Sequence, residues 1–174
     1  MSASLSGNFA ALRKLVRATR HLTTPRGQVG VVKAAAFGAL SALEERFATT
    51  TDPQGRPWPP SLRAQLEGGQ TLSDTGRLRR SFSARVLGPA GFTLGTNVRY
   101  AAPHQFGAVI VPKRARCLRF RLAGGRGRRK GGRGRWVSAR RVALPPRPFF
   151  PEGDLGRYAD HMAEAIQAYL RGAL

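Results

Sequence analysis

The spacing of apolar residues changes twice along this chain, and each change marks a change of secondary structure. Up to about residue 48 apolar residues recur every three to four positions, which predicts two amphipathic helices over residues 4 to 22 and 26 to 48. From Leu78 the pattern alternates as it does in β-strands, and near the C-terminus the helical period returns. We therefore predict an α+β fold with two N-terminal helices, one antiparallel β-sheet with an extended basic hairpin, and a C-terminal helix.

The strand predictions rest on alternating apolar residues between turn sequences. YAAPHQFG is expected to be irregular or a single helical turn, and Asp154 is placed to cap the final helix. The candidate strands cover residues 79 to 87, 92 to 96, 116 to 122 and 135 to 143, with further strand material in VIVP.

The length of 174 residues supports one domain with a hydrophobic core. The prolines of TTTDPQGRPWPP end the second helix, because proline cannot donate a backbone hydrogen bond. The expected parts are a helical part over residues 1 to 50, a proline- and glycine-rich connection over 51 to 77, an antiparallel sheet over 78 to 145 with the basic hairpin at 113 to 141, and a crossing segment with the last helix over 146 to 174.

Positive charge is concentrated in one half of the chain. The formal net charge is +21, and the 77 residues between Asp74 and Glu152 hold no carboxylate but 19 of the 30 basic residues. Such a segment attracts polyanions, whether DNA, RNA, anionic lipid or an acidic protein surface. The candidate contact residues are Arg114, Arg116, Arg119, Arg121, Arg126, Arg128, Arg129, Lys130, Arg133, Arg135, Arg140 and Arg141.

The glycine- and arginine-rich stretch GGRGRRKGGRGRW, residues 124 to 136, lies between two of the candidate strands. It lacks the G-x-x-x-x-G-K-[ST] pattern of a nucleotide-binding loop, and its only aromatic residue is Trp136 at the edge. Contact with nucleic-acid phosphates, contact with an acidic protein and a solvated hairpin tip stay open as alternatives.

Few residues suggest catalysis or metal binding. Cys117 is the only cysteine, and a nucleophilic pair with His104 has no acid nearby in sequence to orient the imidazole ring. The three histidines fall in separate elements without the spacing of metal ligands. We therefore expect no enzymatic activity, no cofactor and no metal, and keep a Cys–His enzyme only as an alternative.

No run of residues reaches the length of about 18 apolar residues that a membrane span requires. We therefore expect no membrane partner. Residues 1 to 43 have no acidic residue, several Ser and Arg, and a helical pattern, which is also typical of a mitochondrial transit peptide.

Four short stretches, in this order, resemble the phage virion-morphogenesis, or tail-completion, family. They are FATTTDPQGRPWPPS, LSDTGRLRRSF, LGTNVRYAAPHQFG and LPPRPFF, and the resemblance covers roughly residues 47 to 170. The chain departs from the family pattern at Pro146 and in the enlarged basic excursion between Gly107 and Pro145. The residues that carry the resemblance and form the candidate structural or interface motif include Asp52, Pro53, Gly55, Trp58, Gly76, Asn97, Tyr100, His104, Gln105, Phe106, Gly107, Arg147, Pro148 and Phe149.

The resemblance implies a structural virion protein of a tailed phage or prophage. It implies a ring, expected to be a hexamer, at the head-tail junction, which completes the tail and allows head-tail joining and DNA passage. The implied partners are further copies of the chain, neighbouring connector proteins, tail-tube or tail-terminator proteins, and packaged DNA contacted without sequence specificity. The implied location is the neck or head-proximal tail end of the virion, after assembly in the bacterial cytoplasm.

Charge alone supports an alternative function, that of a sequence-nonspecific nucleic-acid-binding protein of ribosomal or nucleoid type. Under the family hypothesis, Trp58, Tyr100, Phe106 and Phe149 are expected in the core or at rigid corners. His104 and Gln105 would add hydrogen bonds there, and Arg147 would bind backbone carbonyls or an acid of a neighbouring subunit. The tier of the neck, the type of tail and the surface that the basic hairpin faces stay open.

Overall fold

The computed structural model describes residues 13, 16, 19–122 and 135–173. By their contacts these residues fall into two compact units. The first comprises the described part of Met1–Ser41 together with Ala84–Leu94 and Ala159–Leu174, and the second comprises Ala42–Ser83 and Gly95–Tyr158. Most of the first predicted helix lies outside the described residues, although residues 19 to 23 at its end are helical.

The longest described helix is α1, Pro25–Thr49, which confirms the prediction for residues 26 to 48. Its most buried positions include Ala36, Leu43 and Phe47, which recur with the helical period that the sequence indicated. Thr50 follows the helix with a φ of 56° and so turns the chain out of the helical path. No helix in the described part of the chain is long and apolar enough to cross a lipid bilayer.

Further α-helices follow in the described part of the chain. Two short helices are α2, Leu62–Glu67, and α3, Ala101–Phe106, and the C-terminal helix is α4, Arg157–Ala173. The hydroxyl of Ser61 accepts a hydrogen bond from Ala64 N and caps α2, which lies within the connection predicted for residues 51 to 77. Before α4, Asp154 Oδ1 accepts from Gly156 N, so the carboxylate closes the turn that leads into the helix.

Among the residues that the structure describes, the strands pair in three two-stranded sheets rather than in the single predicted sheet. The sheets are β1–β2, β3–β6 and β4–β5, and the register of the last two is antiparallel. The α+β class and the C-terminal helix are confirmed. The strands are β1 Phe82–Val86, β2 Phe92–Thr96, β3 Ala108–Ile110, β4 Leu118–Leu122, β5 Arg135–Ala139 and β6 Val142–Leu144.

The difference arises because the return strand predicted over residues 135 to 143 breaks at Arg140 and Arg141. Its first part pairs with β4 and its second part pairs with β3. Both β3 and β6 end shortly before a proline, Pro112 or Pro145, and proline has no N–H to extend a ladder. Residues 79 to 81, which the sequence assigned to a strand, form a 3-10 turn that leads into β1.

Within the first unit, α1 and α4 approach closely at two glycines. A β-carbon on Gly38 would overlap the carbonyl of His161, and one on Gly30 would overlap the hydroxyl of Tyr169. That hydroxyl also shares a hydrogen bond of 2.8 Å with the Nε2 of His21. The absence of side chains at the two glycines therefore allows the helices to pack here.

Candidate functional site

Five aromatic rings of the second unit form a cluster that we call the aromatic corner. It consists of Phe47, Trp58, Phe82, Phe149 and Phe150. The Phe47 ring centroid lies 5.4 Å from that of Trp58, 5.6 Å from that of Phe82 and 5.9 Å from that of Phe149. Phe150 packs at 5.0 Å from Phe149 and at 5.4 Å from Phe82. The rings meet tilted or edge to face, which is the favourable arrangement for aromatic quadrupoles.

The turn after α1 directs Trp58 into the aromatic corner. The Asp52 carboxylate accepts hydrogen bonds from the backbone N–H groups of Gln54 and Arg56, at 3.0 and 2.8 Å, and from Arg56 Nε at 2.7 Å. Pro53 is buried in this turn, and Gly55 adopts a φ of 86°. Trp58 Nε1 then donates to the carbonyl of Pro148 at 2.8 Å, which connects the turn to residues 147 to 150, the RPFF segment.

Gln105 also holds the backbone of the RPFF segment. Its Oε1 accepts hydrogen bonds from the N–H groups of Phe149 and Phe150, both at 3.0 Å. Its Nε2 donates to the carbonyl of Phe150 at 3.0 Å and to Glu152 Oε1 at 3.1 Å. Because Gln105 is buried, these four bonds satisfy all of its polar atoms and fix the path of the chain past the aromatic corner.

Arg147 is buried, and its side chain binds backbone carbonyls. Its Nε donates to the Pro59 carbonyl at 2.6 Å and its Nη2 to the Pro60 carbonyl at 3.3 Å, while its backbone N–H donates to His104 O at 2.7 Å. Of the two expectations for this residue, the structure therefore shows carbonyl binding. Burial lowers the pKa of Arg147 from its ordinary value.

His104 lies beside Arg147 and has a buried Nδ1 with no hydrogen-bond partner among the described residues. Burial lowers the pKa of His104, and the positive charge of Arg147 lowers it further. The Tyr100 ring stands edge-on to the imidazole, with centroids 6.0 Å apart. The neutral imidazole is therefore the form that this environment favours.

Two of the four aromatic residues expected in the core or at rigid corners are exposed. Trp58 and Phe149 are buried, but Phe106 is 69% exposed and Tyr100 is 42% exposed. Phe106 belongs to the short helix α3, in which Ala101 and Gln105 occupy the buried side. Since adjacent residues of a helix point about 100° apart, Phe106 next to Gln105 faces outward.

The remaining motif residues shape turns and a groove. Gly107 has a φ of 76°, and a β-carbon there would come within 3.1 Å of Leu144 O, so glycine is required by both conformation and space. Gly76 also has a positive φ, of 73°. Asn97 is exposed and lines, with Phe106 and Phe150, a largely apolar groove of about 410 Å³.

Two buried polar residues of the second unit lie outside the predicted motif, and the burial of one of them, Arg46, was missed by the sequence reasoning. Arg46 is fully buried, and its Nη2 forms an ion pair with Glu45 Oε1 at 2.5 Å, while its Nε and Nη1 have no hydrogen-bond partner among the described residues. The Tyr158 hydroxyl donates to Phe149 O at 2.5 Å. Burial raises the pKa of Tyr158, while the charge of Arg46 opposes that rise. The available signal for Arg46 was its spacing of three from Leu43, on the buried face of α1.

The basic residues cluster on the β4–β5 hairpin. Antiparallel register places Arg121 opposite Trp136 and Arg119 opposite Ser138. All four side chains are exposed, and the Arg119 guanidinium lies 5.6 Å from the centroid of the Trp136 ring. We call these four residues the cationic face.

Other candidate contact residues lie just before and just after this hairpin in the sequence. Arg114 and Arg116 precede β4, Arg140 and Arg141 follow β5, and all four are exposed. Arg135 begins β5. The predicted contacts Arg126, Arg128, Arg129, Lys130 and Arg133 lie outside the described residues.

The two residues of the Cys–His alternative, Cys117 and His104, lie in different elements of the described part of the chain. Cys117 is a partly buried free thiol at the start of the hairpin, whereas His104 lies in α3 beside Arg147. No group of three or more His, Cys, Asp or Glu in the described part of the chain could hold a metal ion.

Comparison with known proteins gives one match. No curated protein and no solved structure matches the chain. A family model described as the phage virion morphogenesis family matches residues 9–171, and so covers the turn of Asp52, the Gln105 segment and the RPFF segment. Because this match spans nearly the whole chain, the protein belongs to the phage virion morphogenesis family and has a role in the structure or assembly of the virion.

Proposed function

We propose that this protein is a non-enzymatic component of the neck or head-proximal tail end, and that its copies form a ring, expected to be a hexamer, at the head-tail junction. The observation that carries the proposal is the way Gln105 and Arg147 are used. Gln105 binds backbone groups of Phe149 and Phe150, and Arg147 binds the carbonyls of Pro59 and Pro60. These contacts build a rigid frame beside an exposed apolar segment, which is what an assembly protein needs.

The segment suited to contact between copies is residues 106 to 111. Phe106, Val109, Ile110 and Val111 are all exposed there. The surrounding stretch, residues 100 to 112, contains no Asp, Glu, Lys or Arg in a chain of net charge +21. Copies of so basic a protein repel one another, so they approach most easily through a surface without charge. Exposed apolar residues grouped in this way are also typical of protein interfaces.

The basic half of the chain supports a second contact, with a negatively charged partner. In a ring, the acid-free segment would repeat around the axis, and its repulsion must be offset by anions. We propose that the β4–β5 hairpin faces passing DNA or an acidic surface of a connector, tail-tube or tail-terminator protein. This contact completes the tail and allows the head to join.

The test compares two charge-introducing variants by native mass spectrometry and light scattering. Val109→Arg combined with Val111→Arg places charge in the uncharged segment, and we expect it to leave the protein monomeric where the parent chain assembles. Leu87→Arg is the matched control, because Leu87 is also exposed and lies in a turn outside this segment. A parent chain that stays monomeric, alone and with purified tails, would contradict the proposal, as would equal assembly of both variants.

A further inference from the structure

The cationic face has a composition that attraction to negative charge does not by itself explain. Strand alternation and the register of β4–β5 place Arg119, Arg121, Trp136 and Ser138 on one face. Leu118, Phe120, Val137 and Ala139 alternate with them and are partly buried. The exposed face therefore carries one large aromatic ring between arginines, while smaller apolar residues of the same hairpin occupy the more sheltered face.

Trp136 is 63% exposed, although its ring could cover more apolar surface than any other side chain of the hairpin. Arg119 lies near the ring at 5.6 Å, a distance at which a guanidinium is attracted to the π-face. This contact orients the ring and the guanidinium together and still leaves most of the ring accessible. A planar partner could stack on the ring while its anionic groups meet the arginines.

Positive charge continues from the cationic face to one end of the hairpin. Leu118 pairs with Ala139, so the chain before β4 and the chain after β5 leave the ladder at the same end. Arg116 stands at that end on one side, and Arg140 and Arg141 stand on the other, all exposed. The sequence between Asp74 and Glu152 holds no carboxylate, so no acidic side chain of this segment competes with a bound anion for these arginines.

We propose that the cationic face binds single-stranded nucleic acid, with a base stacked against Trp136 and the adjacent phosphates paired with Arg119 and Arg121. Base stacking on aromatic side chains in a positively charged groove is the physical basis of sequence-tolerant single-strand binding. A duplex fits less well, because its base faces are already stacked and Trp136 would reach only the groove edges or the backbone. An acidic protein surface would pair with the arginines but would not account for the exposure of the Trp136 ring.

This inference goes beyond the proposed function, because ring assembly requires no contact with a base. Single-strand binding depends on the β4–β5 hairpin alone. It can therefore be disproved even if the ring is found, and it can be confirmed even if no ring forms. The experiment uses the full chain and measures the affinity for a labelled oligothymidine, for an oligouridine of the same length and for a duplex. Titrations at several salt concentrations separate stacking from charge.

Trp136→Ala should weaken oligothymidine binding by about 5- to 150-fold, the range for loss of one stacked base, and should change duplex affinity by less than about twofold. The dependence of log affinity on log salt concentration should have the same slope in Trp136→Ala as in the parent chain, because no charge is removed. Trp136→Phe should keep most of the affinity. Arg119→Gln should reduce the single-strand salt slope by about 0.7. The oligouridine should bind as the oligothymidine does, because the proposed contacts use bases and phosphates and no sugar hydroxyl.

The matched control is Phe37→Ala, which truncates another aromatic side chain, itself 69% exposed, on α1. It should leave the affinity for every probe unchanged. The proposal is overturned if the parent chain does not bind oligothymidine or oligouridine. It is also overturned if Trp136→Ala weakens single strands and duplex by the same factor, or if it weakens neither.

Discussion

At the scale of single residues, Gln105 shows how one amide can determine the path of a segment. Its oxygen accepts hydrogen bonds from the N–H groups of Phe149 and Phe150, and its nitrogen donates to Phe150 O and Glu152 Oε1. Glutamate has nearly the same shape but no donor. We expect Gln105→Glu to lower the free energy of unfolding by about 1 to 3 kcal/mol, because a buried acceptor loses its partner and a carboxylate faces Glu152. Urea denaturation measures the change.

A double-mutant cycle provides the control for this prediction. Adding Glu152→Gln to Gln105→Glu removes one of the two facing carboxylates and restores a donor, so part of the lost stability should return. In the parent background the same Glu152→Gln change should cost less than Gln105→Glu. Equal stability of Gln105→Glu and the parent chain would contradict the role assigned to the amide nitrogen.

A second prediction at the scale of single residues is that His104 makes the stability of the protein depend on pH. Its pKa is lowered in the folded protein by burial and by Arg147, so the unfolded chain binds the proton more readily than the folded one. The free energy of unfolding should therefore fall as the pH drops from about 7 to 5, below the ordinary value of histidine, and recover as the pH rises. His104→Gln should show a flatter profile over this interval in pH-dependent denaturation. An identical slope in the variant and the parent would count against the prediction.

At the scale of elements, α1 carries two phenylalanines with opposite surroundings. Phe47 is fully buried and packs against Trp58, Phe82 and Phe149, whereas Phe37 is exposed. We expect Phe47→Ala to destabilise the protein by about 3 to 5 kcal/mol through the cavity it leaves in the aromatic corner. Phe37→Ala should change stability by no more than about 0.5 kcal/mol. Thermal or urea unfolding of the pair tests this, and similar losses in both would contradict the packing described for Phe47.

At the scale of the whole molecule, the charge distribution predicts that folding and function can be separated. Deleting residues 124 to 134 removes five basic residues and lowers the net charge from +21 to +16. The aromatic corner is built from residues outside this stretch, so cooperative unfolding should be retained. Head-tail joining should be impaired, because the partner surface is expected to be anionic. Complementation of a phage that lacks the gene measures joining through infectious yield, and a normal yield would show that the stretch is dispensable.

By itself the sequence determined what depends on local spacing. The helical period predicted α1 and the C-terminal helix, alternation predicted β1, β2 and β4 within a few residues, and the ordered motifs indicated the family. Such features are readable because the hydrophobic period and the turn residues act over a few positions of the chain. For Arg147, held between two prolines in a motif, carbonyl binding was one of two expectations, and it is the one that the structure shows.

Tertiary structure decided everything that depends on partners distant in sequence. Which strands pair is such a property, so the break at Arg140 and Arg141 and the three separate sheets could not be read from alternation. The outward turn of Phe106 and the burial of Arg46 depend on which side of a helix the rest of the fold covers. The local sequence around an aromatic or basic residue does not show which face of its helix or strand the rest of the fold will cover. Packing alone determines which of these side chains are buried and which stay exposed to a partner.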